Sequence, residues 1–291
     1  MGKAFRRFLI FMIPVIMLLC MSVSAAAEKE ITIYTKCGTH GTAKRLNGRT
    51  AIVSIYASDE KVKWDYESEK DLTRYRNTYK YLGIAAQWIM DQAAQYGVQC
   101  ELVWDWHRYS SLCWYHAFSG NKVSITDYGY AEYIEYIDTQ IPTDDILREL
   151  DADSILYLFF YNTPKKNPVG SYALPSGELE YYVCGFEFVC LFTGEFNQET
   201  TPGTYAHEIL HLFGVPDIYK ANDSYNMSAK FIKAYKKKYP RDIMAGASTQ
   251  KYDRVQFTFS PLVAYYAGLT TSCDWVDEWD LRKSDYELYG Y

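Results

Sequence analysis

The hydrophobic positions of the chain change repeatedly between a strand-like and a helix-like pattern. Residues 50–57 and 98–104 carry apolar and β-branched residues in runs of strand length. Ser154–Tyr161 is continuously apolar, which predicts a central strand that is covered on both faces. Between the first two runs, residues 71–96 repeat apolar positions at spacings of three and four and stop at Gly97, so a long helix is predicted there.

The remaining pattern completes an alternation of strands and helices. It predicts a strand at 31–35, helices at 128–137 and Thr143–Leu150, a Pro- and Gly-rich loop at 162–177, and one or two strands at 181–192. Strands that alternate with helices are typical of an α/β layered domain. The chain has no internal repeat and no Ser/Gly linker, which predicts a single domain after any leader is removed.

The N-terminus has the pattern of an export signal. Three basic residues among the first seven precede an apolar run over residues 8–21, and small residues at 24–27 offer a cleavage site. This order predicts a secretory signal peptide over residues 1–27 and a mature domain over 28–291. We therefore expect a secreted, extracellular bacterial protein that has no membrane helix after the signal peptide is cleaved.

Composition narrows the class of protein. With 291 residues, 48% hydrophobic and 23% charged, the chain has the composition of a globular protein. A net charge of −6 argues against a nucleic-acid partner, because phosphate binding requires a basic face. One of seven cysteines lies in the predicted signal peptide, and the six others favour disulfide bonds in an exported protein. Cys184 and Cys190 are close enough to pair, and free buried thiols are the alternative.

The candidate chemistry lies in the string HEILH at residues 207–211. Thr201 followed by Pro202 is typical of a helix start, and a helix from there to residue 213 places His207 and His211 on one face, about one turn apart. Two imidazoles at that spacing can bind one metal ion, at about 2.0–2.1 Å each for zinc. The spacing therefore predicts a zinc site on this helix.

A third ligand and a base complete the predicted site. Gly214 fits the left-handed position that ends a helix, after which the chain can turn back and bring Asp217 to the metal. No Glu occurs between Glu208 and Glu278, so Asp217 is the better third ligand and Asp223 the weaker one. Three protein ligands leave a position for water, and Glu208 is placed to take a proton from that water. The predicted reaction is amide hydrolysis without a covalent intermediate.

The pattern HExxHxxGxxD over residues 207–217, with Asp-Ile-Met-Ala-Gly downstream at 242–246, resembles the metzincin clan of zinc endopeptidases. The sequence HEILHLFGVPDIY is similar to the snapalysin and immune-inhibitor-A kinds of secreted bacterial protease. Residues 259–269 resemble the helix that follows the Met-turn in the immune-inhibitor-A group. The resemblance covers residues from about 200 to about 270, and nothing specific is matched before that segment.

The resemblance implies a fold and a role for each site residue. The implied roles are zinc ligands for His207, His211 and Asp217, the general base for Glu208, and the floor of the site for Met244. The implied fold is a mixed, mostly parallel sheet with an antiparallel edge strand that holds substrate, packed on the active-site helix and a long backing helix. We expect residues 181–192 to be that edge, residues 28–214 to form an upper part, and residues 215–291 to form a lower part with the Met-turn and C-terminal helix.

One position departs from the clan. Some members carry a Tyr two residues after the Met, where it assists the oxyanion, but this chain has Gly246 there. Tyr219 and Tyr252 are the alternatives, and a packing role for either is the simpler interpretation. The sequence alone therefore leaves the group that stabilises the oxyanion unassigned.

The sequence favours a secreted zinc-dependent endopeptidase that acts on proteins or peptides. The alternatives are a catalytically vestigial, Tyr- and Trp-rich binding protein on the same scaffold and a narrow peptidase for bacterial cell-wall peptides. Calcium is a further candidate at Asn222-Asp223-Ser224, although a solvated turn is the simpler interpretation. Catalysis is favoured over a vestigial site because both histidines, Glu208 and Asp217 are all present.

Overall fold

The computed structural model describes residues 43, 45–123, 130–174, 188–246 and 250–284. The predicted signal peptide, the predicted strand at 31–35, and the cysteines at 37 and 184 lie outside the described residues. The division of the mature chain into one domain with an upper and a lower part stays a prediction. Within the described residues, no helix is both long enough and apolar enough to cross a bilayer.

A six-stranded mixed sheet, mostly parallel, forms the centre of the fold. In chain order its strands are β1 (Gly48–Ser58), β2 (Cys100–Val103), β3 (Cys113–Ala117), β4 (Ser154–Tyr161), β5 (Tyr172–Leu174) and β6 (Phe188–Phe192). The order across the sheet is β2–β1–β4–β6–β5, and β3 pairs with the second half of β1. All pairs are parallel except β5 with β6, so the predicted mixed sheet with one antiparallel edge is confirmed.

Helices cover both faces of this sheet, and further helices come after its last strand in the chain. In chain order the described helices are α1 (Glu69–Gln95), α2 (Tyr130–Gln140), α3 (Thr143–Leu150), α4 (Pro202–Leu212), α5 (Ala229–Lys238), α6 (Pro261–Tyr266) and α7 (Asp274–Trp279). The long predicted helix corresponds to α1, and α3 has the predicted bounds. The sheet packs on α1 and α4, as predicted for a long backing helix and the helix of the candidate site, and these two helices also pack against each other.

The central strand β4 confirms the prediction from its continuous apolar run. All eight of its residues are buried. Phe159 packs against Tyr133 of α2, with ring centres 4.7 Å apart, whereas its neighbour Phe160 packs against Tyr205 of α4, at 5.7 Å. Because successive side chains of a strand point to opposite faces, these contacts place α2 and α4 on opposite faces of the sheet.

The antiparallel edge strand is not where the sequence placed it. The described end of the predicted segment 181–192 is β6, and β6 lies inside the sheet between β4 and β5. The edge is instead β5, which falls within the segment 162–177 that was predicted to be a loop. A strand of three residues is too short to show alternation, and the surrounding Pro and Gly residues dominate the local pattern. The predictions for these two segments are wrong on this point.

A small hairpin leads into α4. Its strands are β7 (Gly194–Glu195) and β8 (Gln198–Glu199), and both residues of the turn between them have positive φ, as tight hairpin turns require. The buried carboxylate of Glu195 accepts hydrogen bonds from the backbone N–H and the hydroxyl of Ser171, which directly precedes β5. The hairpin therefore ties the edge strand to the segment that begins α4.

The described cysteines form no disulfide bonds. Cys100, Cys113, Cys190 and Cys273 are free thiols, and burial raises the pKa of each of them. Because Cys190 is a free thiol in the interior of β6, the expected bond between Cys184 and Cys190 is wrong. Free, covered thiols, which were the alternative from the sequence, describe these four residues.

Candidate metal centre

Helix α4 begins and ends where its sequence predicts. The hydroxyl oxygen of Thr201 accepts a hydrogen bond from the N–H of Thr204 at 3.4 Å, and Pro202 takes the first helical position. At the other end the helix stops after Leu212, and Gly214 follows with φ +81°, a conformation that glycine adopts without strain. The helix start and the glycine stop are both confirmed.

One face of α4 is packed in the core and the opposite face carries polar residues. The core face includes Ile209 and Leu210, which are fully buried and hold the helix in place. His207 and His211 lie one turn apart on the polar face, with 17% and 14% of their side chains exposed. Together with the buried Glu208 they form a group whose ligand atoms lie within 4.8 Å of one another, and this group could hold a metal ion.

A backbone carbonyl group fixes the outer nitrogen of each imidazole. His207 Nδ1 donates to the carbonyl oxygen of Ile243 at 2.9 Å, and His211 Nδ1 donates to that of Val215 at 2.7 Å. Since a carbonyl oxygen can only accept, Nδ1 carries the hydrogen in both rings, and the neutral imidazole has its lone pair on Nε2. Such outer hydrogen bonds orient metal-binding histidines. These carbonyl groups carry no side-chain signal, so sequence reasoning misses them.

Three acceptor atoms converge beside α4. The Nε2 atoms of His207 and His211 are 3.2 Å apart, and Asp217 Oδ1 lies 3.2 and 3.3 Å from them. Two nitrogen atoms that both carry lone pairs cannot hydrogen-bond to each other. Asp217 Oδ1 is itself buried with no hydrogen-bond partner among the described residues. Such a cluster is unfavourable until a proton or a metal cation binds between its atoms.

The two aspartates that the sequence offered as a third ligand lie in different surroundings. Asp217 reaches the histidines because the chain turns back directly after α4. Asp223 is exposed in the 3₁₀ turn Asp223–Tyr225, which Asn222 caps with its side-chain oxygen. Of the two residues, Asp217 is therefore the one that faces the histidines. Calcium binding at Asn222-Asp223-Ser224 stays a prediction.

The charges at the centre strongly affect one another. Burial lowers the pKa of His207, but the adjacent Asp217 carboxylate raises it, and the resulting pKa is about 9. Burial tends to raise the pKa of Asp217, whereas the two imidazoles hold it well below its usual range. Burial raises the pKa of Glu208, and the neighbouring histidines offset part of that increase. In the metal-free protein a proton therefore binds between His207 and Asp217, and a cation would compete with it.

The turn that contains Met244 lies against this centre. Met244 is fully buried, and its carbonyl oxygen accepts a hydrogen bond from the N–H of Ile218 at 2.8 Å, directly after Asp217. The preceding carbonyl group, that of Ile243, is the acceptor for His207. The structure thus brings the turn to the same place as the histidines and the aspartate.

Gly246 and Tyr219 lie next to each other. A Cβ atom at Gly246 would come within 2.7 Å of the Cβ atom of Tyr219, and Gly246 has φ +71°, so glycine is required there. Tyr219 is 38% exposed, and burial together with the charges of Asp217 and Glu208 raises its pKa. Tyr252, the other candidate, instead packs its ring against a tyrosine of α1, with the ring centres 6.0 Å apart.

No family model matches the chain, and no curated protein or solved structure shows significant similarity to it. Among the described residues, His207, Glu208 and His211 on α4 form the group that could hold a metal ion, within a mixed and mostly parallel sheet. The arrangement of polar atoms around that group is what a function has to explain.

Proposed function

We propose that the chain is a secreted zinc-dependent endopeptidase that hydrolyses peptide bonds with Glu208 as the general base. The proposed metal ligands are His207, His211 and Asp217. The observation that carries the proposal is the convergence of their three acceptor atoms, at separations of 3.2, 3.2 and 3.3 Å. The proposal of export rests on the signal-like sequence of residues 1–27.

The donor set fits zinc. Around a tetrahedral zinc ion with bonds of about 2.0–2.1 Å, neighbouring ligand atoms are roughly 3.3 Å apart, which is close to the separations between the two Nε2 atoms and the carboxylate oxygen. Two imidazoles and one carboxylate also match the ligand number of catalytic zinc sites, which keep a position for water. Asp217 Oδ1, which is buried without a partner among the described residues, would gain a positive one.

When bound, the zinc ion would supply Lewis acidity, which polarises the scissile carbonyl and lowers the pKa of a water molecule. Glu208 lies beside the converging ligand atoms, and its carboxylate is buried. Because burial raises its pKa, Glu208 is a stronger base than an exposed glutamate. Glu208 takes a proton from the water as the water oxygen bonds to the carbonyl carbon and the carbonyl π electrons move onto its oxygen. Glu208 later gives that proton to the amide nitrogen as the carbonyl re-forms and the C–N bond breaks.

Tyr219 is our candidate for the group that stabilises the oxyanion. Its phenol is close enough to Asp217 and Glu208 for their charges to raise its pKa, and it is partly exposed. A phenol carries its hydrogen at neutral pH, so the hydroxyl of Tyr219 can donate a hydrogen bond to a developing negative charge. Gly246 stands where some metzincins carry a tyrosine, and its lack of a side chain lets Tyr219 pack directly against the turn, since a Cβ atom there would lie 2.7 Å from the Cβ atom of Tyr219. Tyr252 is not assigned this role, because its ring packs on α1.

We propose that the substrate is an extended peptide that pairs with β5. This strand is the antiparallel edge of the sheet, lies against α4, and is held to the hairpin before α4 through Glu195. A peptide that adds to a sheet edge gains backbone hydrogen bonds along its length. The proposed partner is therefore a protein or peptide and not a nucleic acid, in line with the net charge of −6.

A peptide-library cleavage assay, with and without a chelator, tests the proposal. We expect cleavage inside extended peptides that the chelator abolishes and added zinc restores. Glu208→Gln is the matched control, because glutamine keeps the size of the side chain but cannot take a proton; it should bind zinc and cleave about 10²–10⁴-fold more slowly. Cleavage that persists in the chelator, or cleavage at the wild-type rate in the Glu208→Gln variant, would contradict the mechanism.

A second candidate function is a binding protein whose site no longer catalyses. The observation that favours it is a pair of exposed tyrosines, Tyr66 and Tyr115, which are 44% and 55% exposed with ring centres 5.7 Å apart. Neighbouring exposed aromatic rings are typical of recognition surfaces. Zinc binding without cleavage of any library peptide would favour this function, and cleavage confined to cell-wall peptides would identify a narrow peptidase.

A further inference from the structure

Asp242, at the start of the turn that contains Met244, carries a fully buried carboxylate. Its Oδ1 atom accepts a hydrogen bond from the N–H of Met244 at 2.8 Å, and its Oδ2 atom accepts one from the N–H of Ser260 at 3.2 Å. The hydroxyls of Ser260 and Tyr235 bond to each other and also interact with this carboxylate. Because a buried carboxylate is costly unless it is hydrogen-bonded, these contacts hold it in one position.

The turn that Asp242 begins presents two consecutive carbonyl groups to the candidate metal centre. The carbonyl oxygen of Ile243 accepts from His207 Nδ1 at 2.9 Å. The carbonyl oxygen of Met244 accepts from the N–H of Ile218 at 2.8 Å, and that residue directly follows the proposed aspartate ligand. Two of the three proposed ligands are thus oriented from one turn, through its backbone.

Backbone hydrogen bonds align the chain before Met244 and also close the turn, where the N–H of Ala245 donates to the carbonyl oxygen of Asp242 at 3.1 Å, but they leave the N–H of Met244 to a side chain. The N–H of Ile243 donates to the carbonyl oxygen of Thr258 at 3.0 Å, and the N–H of Thr258 donates to that of Arg241 at 2.8 Å. The N–H of Met244 instead donates to the side chain of Asp242. A carboxylate that accepts from the residue two positions later supports a turn locally, and the other oxygen of this carboxylate ties the turn to Ser260.

We propose that Asp242 is a positioning residue of the metal site: by bonding the N–H of Met244 inside the turn and the N–H of Ser260 outside it, its carboxylate holds the carbonyl groups of Ile243 and Met244 where they orient His207 and Asp217 toward one ion. The inference rests on the proposed metal centre, although Asp242 itself is not a proposed ligand. Loss of an outer hydrogen bond to a metal ligand typically weakens metal binding by about 10–100-fold. The effect of changing Asp242 should therefore appear in metal affinity and not only in stability.

Asp242→Asn tests the inference, because an amide has a single acceptor oxygen and can satisfy only one of the two N–H groups. Asp59→Asn is the matched control. Asp59 is also a buried carboxylate, and it accepts from the backbone N–H groups of Lys61, Val62 and Lys122, none of which belongs to α4 or to the turn. Both variants should lower the melting temperature of the metal-free protein. Only Asp242→Asn should weaken zinc binding, by about 10–100-fold in competition with a chromophoric chelator.

Tyr235→Phe is a milder second variant in case Asp242→Asn does not fold. It keeps the ring and removes one hydroxyl near the carboxylate, so zinc affinity should fall by a smaller factor. Zinc affinity equal to the wild type in every folded variant of Asp242 or Tyr235, or an equal loss in Asp59→Asn, would overturn the inference and leave the proposed centre intact. A wild-type chain that binds no zinc would overturn the centre and the inference together.

Discussion

Helices α1 and α4 pack against each other, yet they bury different kinds of residue. Helix α1 runs for 27 residues, and its buried face is almost entirely apolar or aromatic. Helix α4 has 11 residues and buries Glu208 beside its apolar positions, while His207 and His211 are largely covered. Burial stabilises α1, whereas the buried polar groups of α4 cost free energy.

The buried residues of α1 suit folding, whereas the buried polar residues of α4 suit the proposed function. An apolar residue in place of Glu208 would cost less on folding, so stability does not account for a carboxylate there, and the proposed role as general base does. The buried face of α1 offers only apolar, aromatic and hydroxyl side chains. Substitutions on α1 should therefore change stability alone, and substitutions on the polar face of α4 should change metal binding and catalysis.

The largest expected effect comes from Glu208→Gln. Loss of the general base should lower kcat for peptide cleavage by about 10²–10⁴-fold. Because the substitution also removes a buried charge, the melting temperature should stay the same or rise. Steady-state cleavage and thermal unfolding of the same preparation measure both effects, and unchanged cleavage would show that α4 does not carry the base.

The matching change on α1 is Leu82→Ala. Leu82 is fully buried, so truncation to alanine should lower the free energy of unfolding by about 2–5 kcal/mol. Zinc affinity and the kcat of the folded fraction, measured well below the melting temperature, should match the wild type. A loss of zinc affinity in the folded variant would instead make α1 part of the metal site.

Much of the fold can be predicted from the sequence because the long elements carry strong periodicity. The apolar repeat of α1 and the continuous apolar run of β4 are clear, and both are confirmed. Strand β5 could not be predicted, because three residues among Pro and Gly carry no readable period. The interior position of β6 depends on which strands it pairs with, and local sequence does not encode that.

The candidate site also has a part that the sequence predicts and a part that it does not. The histidines and Glu208 follow from helical spacing alone, and Asp217 follows from the glycine that ends α4. The backbone carbonyl groups that orient the two imidazoles do not follow from the sequence, although the one that binds His211 belongs to Val215, only four residues later. His207 and its acceptor, the carbonyl group of Ile243, are 36 residues apart, and a carbonyl group is the same in every residue. Asp242 lies inside a recognisable motif, but only the folded chain reveals what its carboxylate binds.

The pH should affect stability through α4 and not through α1, because α4 carries His207. Asp217, against the effect of burial, raises the pKa of His207 to about 9 in the metal-free protein. The proton on His207 therefore stabilises the fold fully below about pH 6.5, and this stabilisation is lost as the pH rises through about 9. Zinc has to displace the same proton, so zinc affinity should rise across that interval.

Thermal unfolding in a chelator and zinc titration, both between about pH 6 and pH 9.5, measure this prediction. Asp217→Asn is the control, because it lacks the charge that raises the pKa of His207; its stability should depend less on pH in this interval. A metal-free melting temperature that increases toward pH 9 in the wild type, and not in the control, would contradict the assigned proton.

The smallest effect concerns how the two helices begin. Thr201 caps α4 with its side chain, so Thr201→Ala should lower the free energy of unfolding by about 1 kcal/mol. Ser68 occupies the same position before α1 but makes no side-chain capping bond, so Ser68→Ala should change stability much less. Chemical denaturation of the two variants compares them, and equal losses would show that the Thr201 cap contributes nothing specific.

The most direct test of the account is an equilibrium zinc titration of the folded chain at about pH 8, with the wild type and Asp217→Ala side by side. We predict one zinc ion per wild-type chain, and an affinity at least about tenfold weaker in the variant, because one of three converging ligand atoms is lost. A folded wild-type chain that binds no zinc, or a variant that binds it as tightly, would contradict the claim that these three atoms hold one metal ion.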